Sequence, residues 1–443
     1  MHLAHVFIGK FDLQVPLSLV LVAAVAVVAV SFGLIYILPE REPRDERPGP
    51  RVPRAVLLLL QGFGLLVVFF LAVVGLFGRQ QSPALNAATI AFWVVTIPLL
   101  PIAHCVLGGV YEVTNPFALG ARLVTSGASA RRGPHPTLAR VGYWPAVVLL
   151  LVLFWFELAV RVVPDSPRAL GVLVVVYAVF QVSMGAWLGE AWFARGDVFQ
   201  VLTTLASTIA PAALYRDGTG YVRLRVGFAP DRPVAAARGQ QALITLWLAG
   251  VLADGVKQTP IWKAISAAAP SSDSVSVSRG FDPRDFTLDT SEILFTWLAF
   301  ALFFWAFTWL AATASRKSPR ELASVVSPSL IPIALAYLLA HNLTQLLIVT
   351  PIMWTASSAD ATAMRFQVEE NIRHVTPAVI FLVQVTAIVI GHVVAVVMAH
   401  ARLRAVEKNP GSAIRADLGW LAAMLIYTAT SLWVIAQPIA NAD

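Results

Sequence analysis

The chain alternates between long apolar runs and short polar connections. Ten of the runs are continuously apolar, and each is long enough for a helix rising about 1.5 Å per residue to cross the hydrocarbon core of a bilayer. This pattern predicts an all-α, polytopic transmembrane helical bundle of about ten spans, in which residues 1–443 form a single integral membrane domain. The predicted spans are 14–38, 55–78, 89–112, 144–163, 169–187, 241–258, 289–314, 329–352, 376–400 and 417–437.

Composition and charge agree with the membrane prediction. The chain is 58% hydrophobic and only 13% charged, whereas soluble domains are about one quarter charged. Its net charge of +7 comes from basic residues in the connections, without interleaved aromatics, which argues against nucleic acid as a partner. Of the 32 Lys and Arg residues, 22 fall on the side of the membrane that includes 39–54. The positive-inside rule makes that side cytoplasmic and predicts both termini outside.

Three segments need separate predictions. The first run is followed by PEREPRDERPGPR, which is typical of a retained span and not of a cleaved signal peptide. Residues 188–240 are too polar to cross the membrane and too apolar for a free loop. They predict a cytoplasmic interfacial segment with an amphipathic helix, followed by a short extended piece, YVRLRVGF. Residues 264–288 are rich in serine and predict a mobile extracytoplasmic loop.

Ionisable residues inside spans are the candidates for function. Each costs about 2.5 to 3.5 kcal/mol at a span centre, so each should face the protein interior and have a partner. Glu157 and Arg161 are four residues apart in span four, a spacing that predicts an internal ion pair. In span six, Asp254 precedes Gly255. This dipeptide predicts either a helix break, where free carbonyls and the carboxylate form a cation or proton site, or a helix end that water reaches early.

Four histidines lie in or at the ends of spans. His341 shares one face of span eight with Tyr337 and Gln345, at spacings of four residues. Counted at about 1.5 Å per residue from the cytoplasmic ends, His104 and His392 lie about 12 Å deep and His341 about 18 Å deep. The three rings could therefore meet in the inner half of the bilayer, while His400 lies at the water interface.

Two interpretations of these histidines remain open. Each ring could simply hydrogen-bond to a neighbouring helix. Together, the rings could hold a transition metal such as zinc, copper or iron, or the two axial positions of a haem. Glu157, Asp254 or Cys105 would then supply a fourth ligand or support one, and the N-terminal pair His2 and His5 would offer a second, exposed metal contact.

Several strings taken together resemble a known family. They are AHVFIGKFDLQVP, YEVTNPFALGARLV, WPAVVLLLVLFWFELA, LADGVKQTPIW, SPSLIPIALAYLLAH and GHVVAVVMAH, and they are similar to the bacterial fenitrothion hydrolase-like membrane proteins. The resemblance implies a multi-pass protein of the bacterial inner membrane that hydrolyses an organophosphate ester, with a second membrane subunit as partner. Asn342 replaces the aromatic residue that the family has after the histidine of span eight. The family positions here are His5, Asp12, Asn115, Pro116, Glu157, Asp254, Gly255, His341, His392 and His400.

Three functions are consistent with these residues. In the first, a metal on His104, His341, His392 and His400 generates hydroxide that attacks a small apolar phosphorothioate ester, and Asp254 or Glu157 is the general base. In the second, His104, His341 and His392 hold haem or copper in a redox or metal-handling protein. In the third, a transporter, Asp254 and the polar face of span eight line a pathway.

Overall fold

The fold is almost entirely helical, which confirms an all-α polytopic bundle. Eight of the described helices are long and apolar enough to cross a membrane. Predicted spans 144–163 and 241–258 correspond to two shorter apolar helices. The computed structural model describes residues 16–37, 49–131, 133, 135–160, 165–217, 221–227, 237–270, 283–315, 317–356, 358, 361–374, 377–407 and 409–440.

Fourteen longer helices and three strands make up the frame of the described chain. The helices are α1 (Leu17–Ile37), α2 (Arg54–Phe77), α3 (Ala87–His104), α4 (Pro116–Val124), α5 (Trp144–Val160), α6 (Pro167–Leu188), α7 (Val198–Ile209), α8 (Gln240–Val256), α9 (Pro260–Ala268), α10 (Pro283–Ala314), α11 (Pro319–Ile348), α12 (Ala361–His374), α13 (Pro377–Val406) and α14 (Pro410–Ala440). The strands are β1 (Leu107–Gly108), β2 (Ala212–Arg216) and β3 (Val222–Val226). Short helical turns occupy Pro83–Leu85, Val110–Thr114, Ala128–Arg131, Pro136–Val141, Glu190–Trp192, Phe193–Gly196 and Thr350–Trp354.

Helix α8 lies at the centre of the bundle, where it packs against α5, α10, α11 and α14. Nearly all of its side chains are buried. Gly250 lets α5 approach closely, since a Cβ there would lie 2.1 Å from the Phe154 ring. By contrast, α1 and α2 are apolar on all sides and mostly exposed, as expected for helices that face lipid.

Span three is shorter than the predicted 89–112, because α3 ends at His104. The chain then turns through Gly109, whose φ of 73° is left-handed. A Cβ on Gly109 would lie 1.9 Å from the Leu214 carbonyl oxygen, so glycine is needed where this turn runs against β2. In the resulting sheet β1 is parallel to β2, and β2 is antiparallel to β3. Strand β3 confirms the predicted extended piece.

The structure describes parts of the other two non-span segments. Helix α7 forms within 188–240, and its side chains are buried against α3, α5 and α11. The two ends of the predicted loop 264–288 are helical, as the end of α9 and the start of α10. Its middle part, 271–282, lies outside the described residues, as do His2, His5 and Asp12.

Candidate functional site

Helices α5, α8, α10 and α11 bring ionisable side chains together near the ends that the charge bias assigns to the outside. We refer to them as the charged cluster. Sequence reasoning identified three of its members and missed Lys257, Asp289 and Glu292. The overlooked signal was the spacing of Asp289 and Glu292, which puts two carboxyl groups on one face of an apolar helix. The charged cluster consists of Glu157, Asp254, Lys257, Asp289, Glu292 and His341.

Asp254 and His341 form the accessible part of the charged cluster. The Asp254 Oδ2 lies 3.6 Å from the His341 Nε2, and the two side chains are 20% and 23% exposed. This separation exceeds a hydrogen bond, so the attraction becomes strong only when the imidazole is protonated. Helix α8 continues through Asp254 and Gly255 to Val256, and the Lys257 N–H donates to the Ala253 carbonyl. The predicted helix break is therefore absent, and the structure agrees with an early helix end.

Lys257 supplies positive charge to the cluster. Its Nζ lies 3.0 Å from the Asp289 Oδ1 and also donates to the Leu158 carbonyl at 3.0 Å. The two ion-pair side chains are only 15% and 9% exposed. Such a charge-assisted contact is stronger here than on a solvated surface, because little water screens it.

Two further carboxyl groups surround this ion pair. Glu292 is fully buried; its Oε1 accepts a hydrogen bond from Thr296 at 3.0 Å, while its Oε2 has no partner among the described residues. Glu157 lies in a π-helical segment that ends α5, close enough to Asp254 and Lys257 to interact with both charges. Its predicted partner, Arg161, lies outside the described residues.

Tyr337 connects the charged cluster to the bundle interior. Its ring stacks on His341 with centroids 6.1 Å apart and an interplanar angle of 12°, which confirms the predicted shared face. The Tyr337 hydroxyl is buried without a hydrogen-bond partner among the described residues. It lies 3.0 Å from the position of a Cβ on Gly255, so the glycine beside Asp254 leaves room for this hydroxyl.

His392 is fully buried deeper in the bundle. Its Nδ1 donates to the Ile388 carbonyl at 2.8 Å, because a carbonyl can only accept. Its Nε2 has no partner among the described residues, and the Tyr427 hydroxyl likewise has none. The His392 and Tyr427 rings are 5.5 Å apart.

His400 belongs to a separate network at the other end of α13. Its Nδ1 lies 2.8 Å from the Asp417 Oδ2. The same oxygen accepts a short hydrogen bond from the Tyr36 hydroxyl. The Tyr36 ring also packs edge-on against His400. This network joins α1, α13 and α14, and Asp417 is almost fully buried in it.

His104 is bonded through both ring nitrogens. Nδ1 donates to the Leu100 carbonyl at 2.7 Å, and Nε2 accepts from the Tyr111 N–H at 2.9 Å. The ring therefore closes the turn after α3. The neighbouring Cys105 thiol donates to the Ile102 carbonyl of the same turn.

The four histidines thus have separate partners, and the predicted meeting of three rings is not seen. Among the described residues, no three His, Cys, Asp or Glu side chains converge in a way that could hold a metal ion. Both nitrogens of His104 are bonded within the turn, so this ring has no nitrogen free for a metal or a haem iron.

Another buried carboxylate, that of Asp197, lies outside the charged cluster and was also missed by sequence reasoning. Its oxygens accept from Tyr177 at 2.7 Å, Asn115 at 2.7 Å, Tyr111 at 3.2 Å and the Phe199 N–H at 3.1 Å. Burial raises the pKa of Asp197 to about 6, while the side-chain hydrogen bonds oppose that rise. Because these donors satisfy the carboxylate and it caps α7, we interpret this network as structural.

Comparison with known proteins identifies no family for this chain. No family model, curated protein or solved structure matches this chain. The resemblance to fenitrothion hydrolase-like proteins stays a prediction, and the function is argued below from the geometry.

Proposed function

We propose that this multi-pass membrane protein is a proton-coupled transporter whose proton binds at Asp254 and His341. The observation that carries the proposal is the contact between these two partly exposed side chains inside a bundle of apolar helices. Placing an ionisable group inside a membrane span costs free energy, and such groups commonly mark proton relays or substrate pathways.

The charge balance of the cluster supports proton binding. Four carboxyl groups, those of Glu157, Asp254, Asp289 and Glu292, surround one lysine among the described residues. With full ionisation and a neutral His341, these five described side chains alone sum to a net charge of −3, so their carboxylates repel one another. An added proton reduces this repulsion, so the cluster gives a proton a favourable site.

The proton step needs only groups of this chain and water. A proton from outside water adds to the neutral imidazole of His341, which becomes an imidazolium facing the Asp254 carboxylate. The 3.6 Å contact then becomes an ion pair and pulls α8 and α11 together. Loss of the proton removes this attraction. Proton binding is thereby coupled to the packing of the two central helices, which is the coupling that a transporter requires.

Charge displacement tests the proposal without knowledge of the solute. Purified protein in liposomes on a capacitive sensor is exposed to a rapid pH drop, and the current from protons entering the membrane domain is integrated. We expect a signal in the wild type that Asp254→Asn and His341→Gln abolish. Glu321→Gln, a change at an exposed carboxylate outside the cluster, should keep it. A wild-type signal equal to that of empty liposomes, or an unchanged signal in Asp254→Asn, overturns the proposal.

Hydrolysis is the second candidate, favoured by the same contact and by the family resemblance. A carboxylate beside a partly exposed imidazole is an arrangement used for general-base catalysis. His341 would take a proton from water as its oxygen attacks phosphorus, and the aryl oxide would leave while Asp254 stabilises the imidazolium. A 4-nitrophenyl dialkyl phosphorothioate in the bilayer would then release 4-nitrophenolate, and His341→Gln would stop the release. If the wild type, alone or co-expressed with a second membrane subunit, releases none, hydrolysis is refuted.

A further inference from the structure

Three buried polar atoms in the bundle interior have no hydrogen-bond partner among the described residues. They are the Tyr337 hydroxyl on α11, the Tyr427 hydroxyl on α14 and the His392 Nε2 on α13. More than about 90% of buried polar groups in proteins are hydrogen-bonded to protein or ordered water. Other described side chains also have buried atoms without a partner, but these three lie on α13 and on two helices that pack against it, and the His392 and Tyr427 rings are 5.5 Å apart.

The three atoms are chemically complementary. The His392 Nε2 is an acceptor, because Nδ1 carries the hydrogen that bonds to the Ile388 carbonyl. The two tyrosine hydroxyls can each donate and accept. A buried water typically makes about three hydrogen bonds, so bound water between these atoms would satisfy them.

The two tyrosines lead from the charged cluster toward the interior of the bundle. Tyr337 stacks on His341, and its hydroxyl lies over Gly255, next to Asp254. Gly255 also contacts Val434 of α14. Tyr427 lies seven residues before Val434, which places it about 10 Å nearer the middle of the bundle.

We infer that Tyr337, Tyr427 and bound water carry a proton from Asp254 and His341 to the His392 Nε2. The inference rests on the proposed proton-binding function. The imidazolium of His341 gives up its proton, each water or hydroxyl accepts one proton and donates another, and His392 ends as the imidazolium. Both tyrosines are neutral before and after the transfer.

His392 is the last acceptor in this arrangement. Helices α1, α11 and α14 pack against α13; among their described titratable groups, Tyr427 packs against the His392 ring, and Tyr337 lies close enough to Tyr427 to interact with it electrostatically. In the described part of α1, the one titratable side chain is Tyr36, which contacts His400 instead. His400 lies eight residues beyond His392, about 12 Å away along α13, and the sequence between them is apolar.

Charge displacement separates this inference from the proposed function. In His392→Gln and Tyr427→Phe we expect the displaced charge to fall, because the inner step carries the proton about 10 Å further, about a third of a core roughly 30 Å thick. Tyr177→Phe is the matched control, since it removes a buried hydroxyl that bonds to Asp197 outside this path. If Asp254→Asn abolishes the signal but His392→Gln leaves it unchanged, the inward path is wrong and proton binding at the cluster stands.

Bound water is tested in the unmodified wild type, so the result does not depend on whether a variant folds. Brief X-ray radiolysis generates hydroxyl radicals from buried waters, and mass spectrometry locates the oxidised side chains. We expect Tyr337 and Tyr427 to be oxidised several-fold faster than Phe154, which is buried among apolar side chains. Equal, slow oxidation of all three would show that no water is held there and would overturn the inference.

Discussion

Replacing Lys257 by methionine tests the energetics of the charged cluster. The substitution keeps the side-chain length and removes the charge that pairs with Asp289. Removing one partner of a buried ion pair costs about 3 to 5 kcal/mol, and the slight exposure of this pair favours the lower end. The Leu158 carbonyl loses its lysine donor as well, which adds about 1 kcal/mol. We therefore expect Lys257→Met to lower the free energy of unfolding by about 4 kcal/mol.

A double-mutant cycle isolates the ion pair. Asp289→Asn alone should cost less, because Lys257 keeps Asp254, Glu157 and Glu292 as negative neighbours. The double variant leaves no unpaired charge at this position and should recover about 2 kcal/mol relative to Lys257→Met. Reversible unfolding of the purified proteins in mixed detergent micelles provides the four free energies. A cost below about 1 kcal/mol for Lys257→Met, or strict additivity in the double variant, would refute the ion-pair argument.

Three further predictions concern packing, the buried network and metals. Gly255→Ala places a Cβ 3.0 Å from the Tyr337 hydroxyl and should destabilise the protein by about 1 to 3 kcal/mol. The control Gly33→Ala, which has open space around it, should not. Equal melting temperatures for the two variants would contradict this prediction. Tyr177→Phe removes a hydrogen bond to Asp197 and should lower the free energy of unfolding by about 1.5 to 3 kcal/mol. An unchanged free energy of unfolding would show that the network around Asp197 is dispensable for stability. Dialysis against a chelator should leave the charge displacement unchanged, because no three His, Cys, Asp or Glu side chains of the described residues are grouped to hold a metal ion. A loss of the signal that zinc, copper or iron restores would contradict that expectation.

The bundle could be predicted from sequence because its signals are local. Continuous apolar runs determined most helices, and the stacking of Tyr337 on His341 followed from their spacing of four residues. Where a span stops was harder to predict: α3 ends at His104, and the chain then turns at Gly109, whose left-handed conformation the apolar pattern does not encode.

The composition of the site depends on which helices are neighbours. Depth counting placed His341 near His104 and His392, but it contains no information on helix order. In the structure α8 packs beside α11, so His341 meets Asp254. Lys257 directly follows α8 and Asp289 lies in α10, the next long helix, but the apolar pattern does not show which side chains of two such helices face each other; the packed bundle shows that these two form an ion pair.

The apolar segment of α13 between His392 and His400 has an electrical consequence. A proton that leaves His392 for His400 would cross about 12 Å of apolar helix, more than a third of a core roughly 30 Å thick. An elementary charge crossing the whole voltage gains about 2.3 kcal/mol per 100 mV. This step would receive a share of that energy in proportion to its length, and a potential that is negative inside would favour it.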